Sequence, residues 1–216
     1  MRVAVLGTGG VGRAIADRLL ELGHQVTMGS RSAEGEALGE WLAGAGEGAA
    51  GGTFAEAAAA SELVFNCTAG AASLAALEAA GAESLAGKTL VDVANPLDFS
   101  AGFPPTLSVC NDTSLAEQIQ AAFPETRVVK SLNTVNSSVM VDPGRVRGEH
   151  SIFVCGEDAA AKAQVRALLE AIGWPSASIL DLGDLTAARG LEMYVTLWVR
   201  LYGVLETPDF NIAIAR

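Results

Sequence analysis

The sequence predicts a doubly wound, mostly parallel α/β sheet, and three observations predict it. Short apolar runs rich in β-branched residues alternate with helical patterns almost from end to end. A glycine-rich bend, Gly7-Thr8-Gly9-Gly10-Val11-Gly12, joins the first apolar run to the first helical pattern. No internal repeat breaks the alternation, and alanine enrichment is its only compositional bias. With 216 residues, half of them hydrophobic, the chain is long enough to bury about 70% of its unfolded surface. One domain is expected over 1–216, with residues from about 184 forming a C-terminal helical extension.

Each element has its own local signal. Residues 3–6 read as the first strand. Residues 11–22 carry Val11, Ile15, Leu19 and Leu22 at helical spacing, with Gly23 as a C-terminal cap. Residues 25–28 form the next strand, and 34–42 a helix that runs into a Gly/Ala-rich stretch, 43–52, expected to be a loop. Thr53 and Glu56 form a capping-box pattern for a short helix. Residues 63–67 and 89–93 are apolar enough to be central strands, with a helical segment over 73–80 between them. Ser114 and Glu117 suggest a second capping box, opening a helix that ends near Phe123 and Pro124. Strands follow at 127–131 and 152–155. An amphipathic helix over 158–172 is closed by Gly173 and Pro175 and leads to a last strand near 178–182. From Leu185 the chain is helical and then irregular.

Composition excludes several classes of function. Fourteen basic against 25 acidic residues give a net charge of −11, a surface that repels polyanions, so nucleic acid is not an expected partner. An anionic ligand therefore needs a local device, such as a helix N-terminus or a placed arginine. Cys67, Cys110 and Cys155 match neither a zinc site nor a redox C-x-x-C pair; they read as reduced, mostly buried thiols, and no metal site is expected. The first residues lack a signal-peptide core, and the longest uncharged apolar stretch, 63–77, falls short of the ~20 residues a membrane span needs. A cytoplasmic protein without a membrane partner is the expectation.

The bend fits G-x-G-x-x-G in the context that makes it informative: strand, tight turn, helix. Gly7 permits the turn, Gly9 lets backbone approach a pyrophosphate, and Gly12 lets helix pack on strand, while the helix N–H groups face the anion. The expected fold is thus of the dinucleotide-binding Rossmann type, with Gly7, Thr8, Gly9, Gly10, Val11 and Gly12 on the cofactor. An NAD protein usually places an acidic residue at the end of the second strand, about 20 residues past the glycines, to hold the ribose diol. Here Gly29, Ser30, Arg31 and Ser32 occupy that position. Hydroxyls and a guanidinium suit a 2′-phosphate, so NADP(H) is expected, held by Ser30, Arg31 and Ser32.

At the far ends of the two central strands stand Thr68, Ala69 and Gly70, followed by Ala71 and Ala72, and Asn95 and Pro96, followed by Leu97. Such small side chains leave one nicotinamide face open to a second planar ring; close packing of helix on sheet would also use them. A carbonyl or imine reductase needs a proton donor at the reacting atom, and candidates are scarce. Neither Tyr194 nor Tyr202 is followed by lysine four residues on, and His24 and His150 read as surface residues. Direct hydride transfer between two heterocycles needs little help from protein acids.

These motifs resemble the NADP oxidoreductases dependent on the deazaflavin coenzyme F420. The resemblance rests on the glycine bend, on Met28-Gly29-Ser30-Arg31-Ser32, on Val128-Val129-Lys130-Ser131-Leu132-Asn133-Thr134, on Asp181-Leu182-Gly183-Asp184-Leu185 and on Ala188-Arg189-Gly190-Leu191-Glu192. It implies an NADPH-dependent oxidoreductase that passes a hydride reversibly between NADP(H) and F420. It also implies Thr8, Ser30 and Arg31 on the NADP phosphates, with the deazaflavin stacked over the nicotinamide. Two departures stand out: Glu34 and Gly35 follow the arginine where family members can carry lysine, and Asn133-Thr134-Val135-Asn136 stands where a histidine can occur. The fold also resembles the cytoplasmic part of six-transmembrane ferric reductases.

The second site is expected from Ala71, Asn133, Thr134, Met140 and Leu191, with Met193 and Trp198 as further candidates. The acceptor would be F420 or a flavin. The stripe Leu191, Tyr194, Val195, Trp198, Leu201 and Leu205 calls for core packing or a dimer seam, and a homodimer is expected. Two alternatives stay open. One is an NADPH-dependent reductase of a small imine, carbonyl compound or flavin, although such enzymes commonly append a larger helical domain than the roughly thirty residues after Asp184. The other is a non-catalytic NADPH-binding redox sensor.

Overall fold

In a computed structural model that describes residues 1–215, strand and helix alternate around one twisted sheet. The N-terminal half runs β1 (Arg2–Leu6), α1 (Gly10–Glu21), β2 (Gln25–Ser30), α2 (Glu36–Gly44), β3 (Ala49–Thr53), α3 (Phe54–Ala60) and β4 (Leu63–Asn66). Two helices, α4 (Gly70–Ala80) and α5 (Ala82–Leu85), lead to β5 (Thr89–Asp92) and then to a small antiparallel hairpin, β6 (Leu97–Asp98) with β7 (Thr106–Leu107). The remainder is α6 (Leu115–Ala122), β8 (Arg127–Ser131), α7 (Ser137–Val141), β9 (Ile152–Cys155), α8 (Ala159–Ile172), β10 (Ile179–Asp181) and α9 (Ala188–Leu205).

The strand order is β10-β9-β8-β5-β4-β1-β2-β3, parallel throughout except where β9 runs against β8. The chain winds outward from β1 in one direction and from β4 in the other, so the switch point lies between them, where open α/β sheets bind their ligands. Val3 and Val5 face one core with Ile15, Leu19 and Trp174, while Ala4 and Leu6 face the other with Leu77, Leu85 and Ile119. Alternate residues of one strand thus serve two helical layers, and β1, β4 and β5 are apolar because both faces are covered.

The stretch 43–52 is not wholly loop, as its composition suggested. Its second half pairs with β2 as the edge strand β3, in register from Val26↔Ala49 to Ser30↔Thr53. Alanine and glycine give no apolar alternation to read, yet small size is what the position requires. A Cβ on Gly51 would stand 2.8 Å from Leu42 Cδ1. His150 is also unlike its surface reading: it is 8% exposed, edge-on to Trp174 at 5.2 Å, with Nε2 by the Pro143 carbonyl and Nδ1 by Asn211. Cys110 is exposed rather than buried, whereas burial pushes the Cys155 thiol up to about 12. Among the described residues no helix is long and apolar enough to cross a membrane.

Side chains cap three helix starts, two of them at the capping patterns of the sequence. Thr53 and Glu56 form the reciprocal box of α3, Ser114 Oγ accepts from the Glu117 N–H at α6, and Asp158 accepts from the Ala161 N–H at α8. After α9 the tail folds back: Asp209 meets Arg145 at 2.7 Å and Ser138 at 3.0 Å, Phe210 stacks on Trp198, and Ser151 N–H donates to the Ile212 carbonyl.

Gly29, at the end of β2, is buried against α3. A Cβ there would stand 2.7 Å from Leu6 Cδ2 and 3.1 Å from Ala57 Cβ. We expect Gly29→Ala to cost about 1–3 kcal/mol through overpacking, read as a lower urea midpoint; an unchanged midpoint would count against this packing.

Candidate functional site

The glycine bend lies at the carboxyl end of β1, over the switch point. Gly7 sits at φ +116°, a conformation that L side chains rarely adopt, and a Cβ there would stand 2.7 Å from the Cys67 carbonyl oxygen. A Cβ on Gly12 would overlap the Gly7 carbonyl, so α1 packs directly on the turn. Above Gly9 and Gly10 the space is open, with nothing within 4 Å of an added Cβ. Arg13 braces the bend from beneath, donating from Nε to the Thr8 carbonyl at 3.0 Å and from Nη2 to the Ala37 carbonyl at 2.8 Å. The bend therefore presents backbone N–H groups and the N-terminus of the 12-residue α1 to an open concavity. These residues fit a dinucleotide phosphate.

At the end of β2, Ser30 is partly exposed and its hydroxyl donates to the Ser32 carbonyl. Ser32 Oγ accepts from the Glu34 N–H at 3.3 Å. Arg31 points into solvent and takes part in no salt bridge or side-chain hydrogen bond among the described residues. The structure thus gathers two hydroxyls and an uncommitted guanidinium beside the bend. Because Gly29 is fixed by packing, an acidic side chain has no room at that residue.

A cavity of about 320 Å³ opens beyond the bend, at the carboxyl ends of β4, β5 and β8. One wall is Val11 with Cys67, Thr68, Ala69 and Gly70; the floor is Val93, Ala94, Asn95 and Leu97; the far wall is residues 133–137 with Met140; Val195 and Trp198 of α9 close it. Of the residues named from sequence for the second site, Asn133, Thr134 and Met140 line this cavity, and so does Trp198. Ala71 and Leu191 do not. Ala71 lies on the exposed side of α4, and Leu191 packs into the lower core, offering the site only its carbonyl, which accepts from Asn133 Nδ2 at 3.0 Å. Met193 faces solvent, and Pro96 is buried behind Asn95. Helical spacing gave α9 its apolar stripe but not which residue of it faces the cavity.

Leu132 puts the far wall in place. It is buried at φ +64°, left-handed backbone in a residue that pays for it sterically, and it swings the chain out of β8 so that Asn133 and Thr134 face inward. Asn133 and Asn95 interlock: Asn133 Nδ2 donates to Asn95 Oδ1 at 2.9 Å, and Asn95 Nδ2 donates to the Asn133 carbonyl at 2.8 Å.

Beneath the floor lies a charge cluster that no sequence pattern disclosed. Lys130 is wholly buried, its ammonium 2.8 Å from Asp92 Oδ2 and 2.7 Å from Glu192 Oε1, and it also donates to the Ala94 carbonyl. Burial opposes the charge, but Asp92 and Glu192 outweigh it and hold the Lys130 pKa above its ordinary value. Burial likewise raises the Glu192 carboxyl, against the pull of Lys130. Glu192 in turn accepts from the Leu115 and Ala116 N–H groups at the start of α6, at 2.8 and 3.1 Å. Asp92 Oδ1 accepts from Asn66 Nδ2 at 2.8 Å, and Asn66 Oδ1 accepts from the Thr68 hydroxyl at 2.7 Å, so the network surfaces at the cavity wall. Arg189 grips Glu117 in a fork at 2.6–3.2 Å. Two ionic links therefore pin the first turns of α9 to α6 and β8, and they set Val195 and Trp198 over the cavity. Lys130 and Glu192 stood in motifs already noticed; their meeting required the fold.

Among the described residues, Cys67 is the one titratable side chain lining the cavity. Burial and then the negative charge of Asp92 push its thiol well above the ordinary range, so it stays protonated at neutral pH.

Residues 2–96 match the family described as NADP oxidoreductase, coenzyme F420-dependent. Over 100% of both chains the protein is similar to a proposed F420-dependent NADP-reductase from Arthrobacter sp. FB24, with 55% identity and a TM-score of 0.95. It is 32% identical over 194 residues to the metalloreductase STEAP3 of Rattus norvegicus, a match that takes in 88% of this chain but spans only 36% of the rat protein. A reductive aminase from Aspergillus terreus, solved with NADPH and ethyl-5-oxohexanoate, has a TM-score of 0.67 at 22% identity over 95% of this chain and 62% of its own, a likeness of fold.

Lys130→Met would leave two buried carboxylates without a counterion, and we expect a loss of about 3–5 kcal/mol, measured by urea unfolding; a loss below ~1 kcal/mol would contradict the cluster. The Glu117 carboxyl is held below the usual range, first by its hydrogen bond to Arg189. That contribution is whole above the unfolded value of about 4.3 and disappears as pH falls through the lower folded value. The stability gap between the wild type and Arg189→Gln should accordingly narrow on acidification below that range, and a gap independent of pH would refute the linkage.

Proposed function

The chain belongs to the family of NADP oxidoreductases dependent on coenzyme F420, and from that membership we propose that it transfers a hydride between NADP(H) and the deazaflavin ring of F420 in the cavity beside the glycine bend. The observation that carries the reading is the cavity itself. It adjoins an open phosphate cradle, and among the described residues its only titratable lining group is a thiol held protonated. Hydride addition to the carbon of a ketone or imine leaves a localised, strongly basic oxygen or nitrogen that calls for an acid on that wall. Hydride addition to the carbon of a deazaflavin spreads the charge over the ring's dione edge, whose ring nitrogen takes the balancing proton from solvent, so this acceptor calls above all for alignment.

Each residue has a task in this reading. The N–H groups of the bend from Gly9 onward and the start of α1 hold the diphosphate, with Thr8 beside them. Ser30, Arg31 and Ser32 hold the 2′-phosphate, the guanidinium supplying fixed charge that a net charge of −11 cannot. Thr68, Ala69, Gly70 and Asn95 form the wall for the nicotinamide. Bound NADPH supplies the hydride. Val195 and Trp198 exclude water above the reacting faces, and the protonated Cys67 thiol adds no charge to them.

Arg31→Ala should weaken NADPH by about 1.5–3 kcal/mol, the worth of hydrogen bonds to a charged group, while NADH binding, followed by calorimetry, changes little. Equal losses for both would remove the phosphate assignment. Oxidation of NADPH by purified protein with F420, but not with a panel of imines and ketones, is the expected result in an absorbance assay; turnover of imines alone would overturn the acceptor assignment.

A further inference from the structure

Three side-chain polar atoms of residues that line the cavity are buried and have no hydrogen-bond partner among the described residues: Asn133 Oδ1, Thr134 Oγ1 and Trp198 Nε1. Asn133 and Thr134 are 4% and 1% exposed. A polar group left unpaired in a folded interior is costly, and three gathered on one cavity point to a ligand that pairs them. The orientation of the Asn133 amide is not in question. Its Nδ2 donates to two acceptors, Asn95 Oδ1 and the Leu191 carbonyl, so the oxygen must be the atom left over. The site thus offers one obligate acceptor in Asn133 Oδ1, one obligate donor in the Trp198 indole, and the Thr134 hydroxyl, which can donate.

We propose that these three atoms recognise the imide edge, C(=O)–N(H)–C(=O), of the planar ring that exchanges the hydride, an inference that rests on the two-ring reading above. Asn133 Oδ1 accepts from the imide N–H, and Thr134 and Trp198 donate to the flanking carbonyls. The imide's single donor and two acceptors match the three groups one for one. Position assigns them to the second ring rather than to the nicotinamide carboxamide. Asn133 and Thr134 follow β8, with β5 and β4 between them and the strand that carries the glycine bend, and Trp198 descends from α9. The atoms therefore select rings bearing a free imide, flavins and deazaflavins alike, and discriminate against acceptors without one.

The test uses the whole chain and three probes in equilibrium binding: F420, lumiflavin and lumiflavin methylated at the imide nitrogen. The wild type should bind lumiflavin about tenfold more tightly than the N-methyl compound, since methylation removes the donor that Asn133 needs. Thr134→Val and Trp198→Phe should each weaken lumiflavin and F420 several-fold and leave NADPH affinity, measured without acceptor, within twofold. Thr134→Val should also raise or leave unchanged the melting temperature of the ligand-free protein, because it deletes a hydroxyl with no partner; a lower melting temperature would mean that the hydroxyl is used in the fold, and would overturn the proposal. Indifference to N-methylation, failure of every imide ring to bind, or a loss confined to NADPH would each overturn it, the last by assigning the atoms to the carboxamide. Binding of lumiflavin with discrimination against its N-methyl form, but no binding of F420, would instead uphold the imide set and defeat F420 as the acceptor.

Discussion

One ammonium group carries much of this structure's geometry. Lys130 lies out of water between Asp92 and Glu192, and the three charges come from β8, β5 and α9. A buried charge is tolerable only when its partners are well placed. The three elements are therefore held to a narrow set of relative positions: a shift of α9 by one turn would strand Glu192 away from both the lysine and the α6 N-terminus. Since α9 also carries Val195 and Trp198, the cluster fixes the roof of the cavity from below. The hydrogen-bonded chain from Asp92 through Asn66 to Thr68 extends that constraint to the wall beside the glycine bend.

The cavity inherits both rigidity and openness from this arrangement. Glycines let α1 and α4 press on the strand ends, and a Cβ on Gly70 would overlap the Asn95 carbonyl. Strained backbone at Leu132 and the paired amides of Asn95 and Asn133 hold the far wall. The C-terminal tail adds a clamp from outside, with Phe210 stacked on Trp198 at 5.2 Å and Asp209 fastened to Arg145. The net negative surface leaves an anion to local devices, the role proposed for the bend, Arg31 and the neighbouring serines.

Much of the fold was legible before any coordinates. The bend, the N-terminal caps of α3 and α6, the closing glycine of α8 and the apolar strands each follow from local rules of period, turn and capping, and the structure has all of them. The strand β3 was not legible, because alanine and glycine carry no periodic signal and its pairing is dictated by the neighbouring strand and the helices over it. His150 looked like a surface residue since nothing nearby in sequence announces Trp174 or Asn211. Within the site, Asn133, Thr134, Met140 and Trp198 were named and do line the cavity; Ala71 and Leu191 were named on the same grounds and do not, because the facing of a helical residue depends on how the helix is docked.

By itself, the sequence determined the doubly wound α/β class, the glycine bend between β1 and α1 and the basic, hydroxylic end of β2, all of which are written in residues close together along the chain. Tertiary structure alone decided the Lys130 cluster, the side of α9 that roofs the cavity and the three polar atoms left without partners there. Charges and hydrogen bonds between residues sixty positions apart depend on how the layers pack, and no local pattern encodes that.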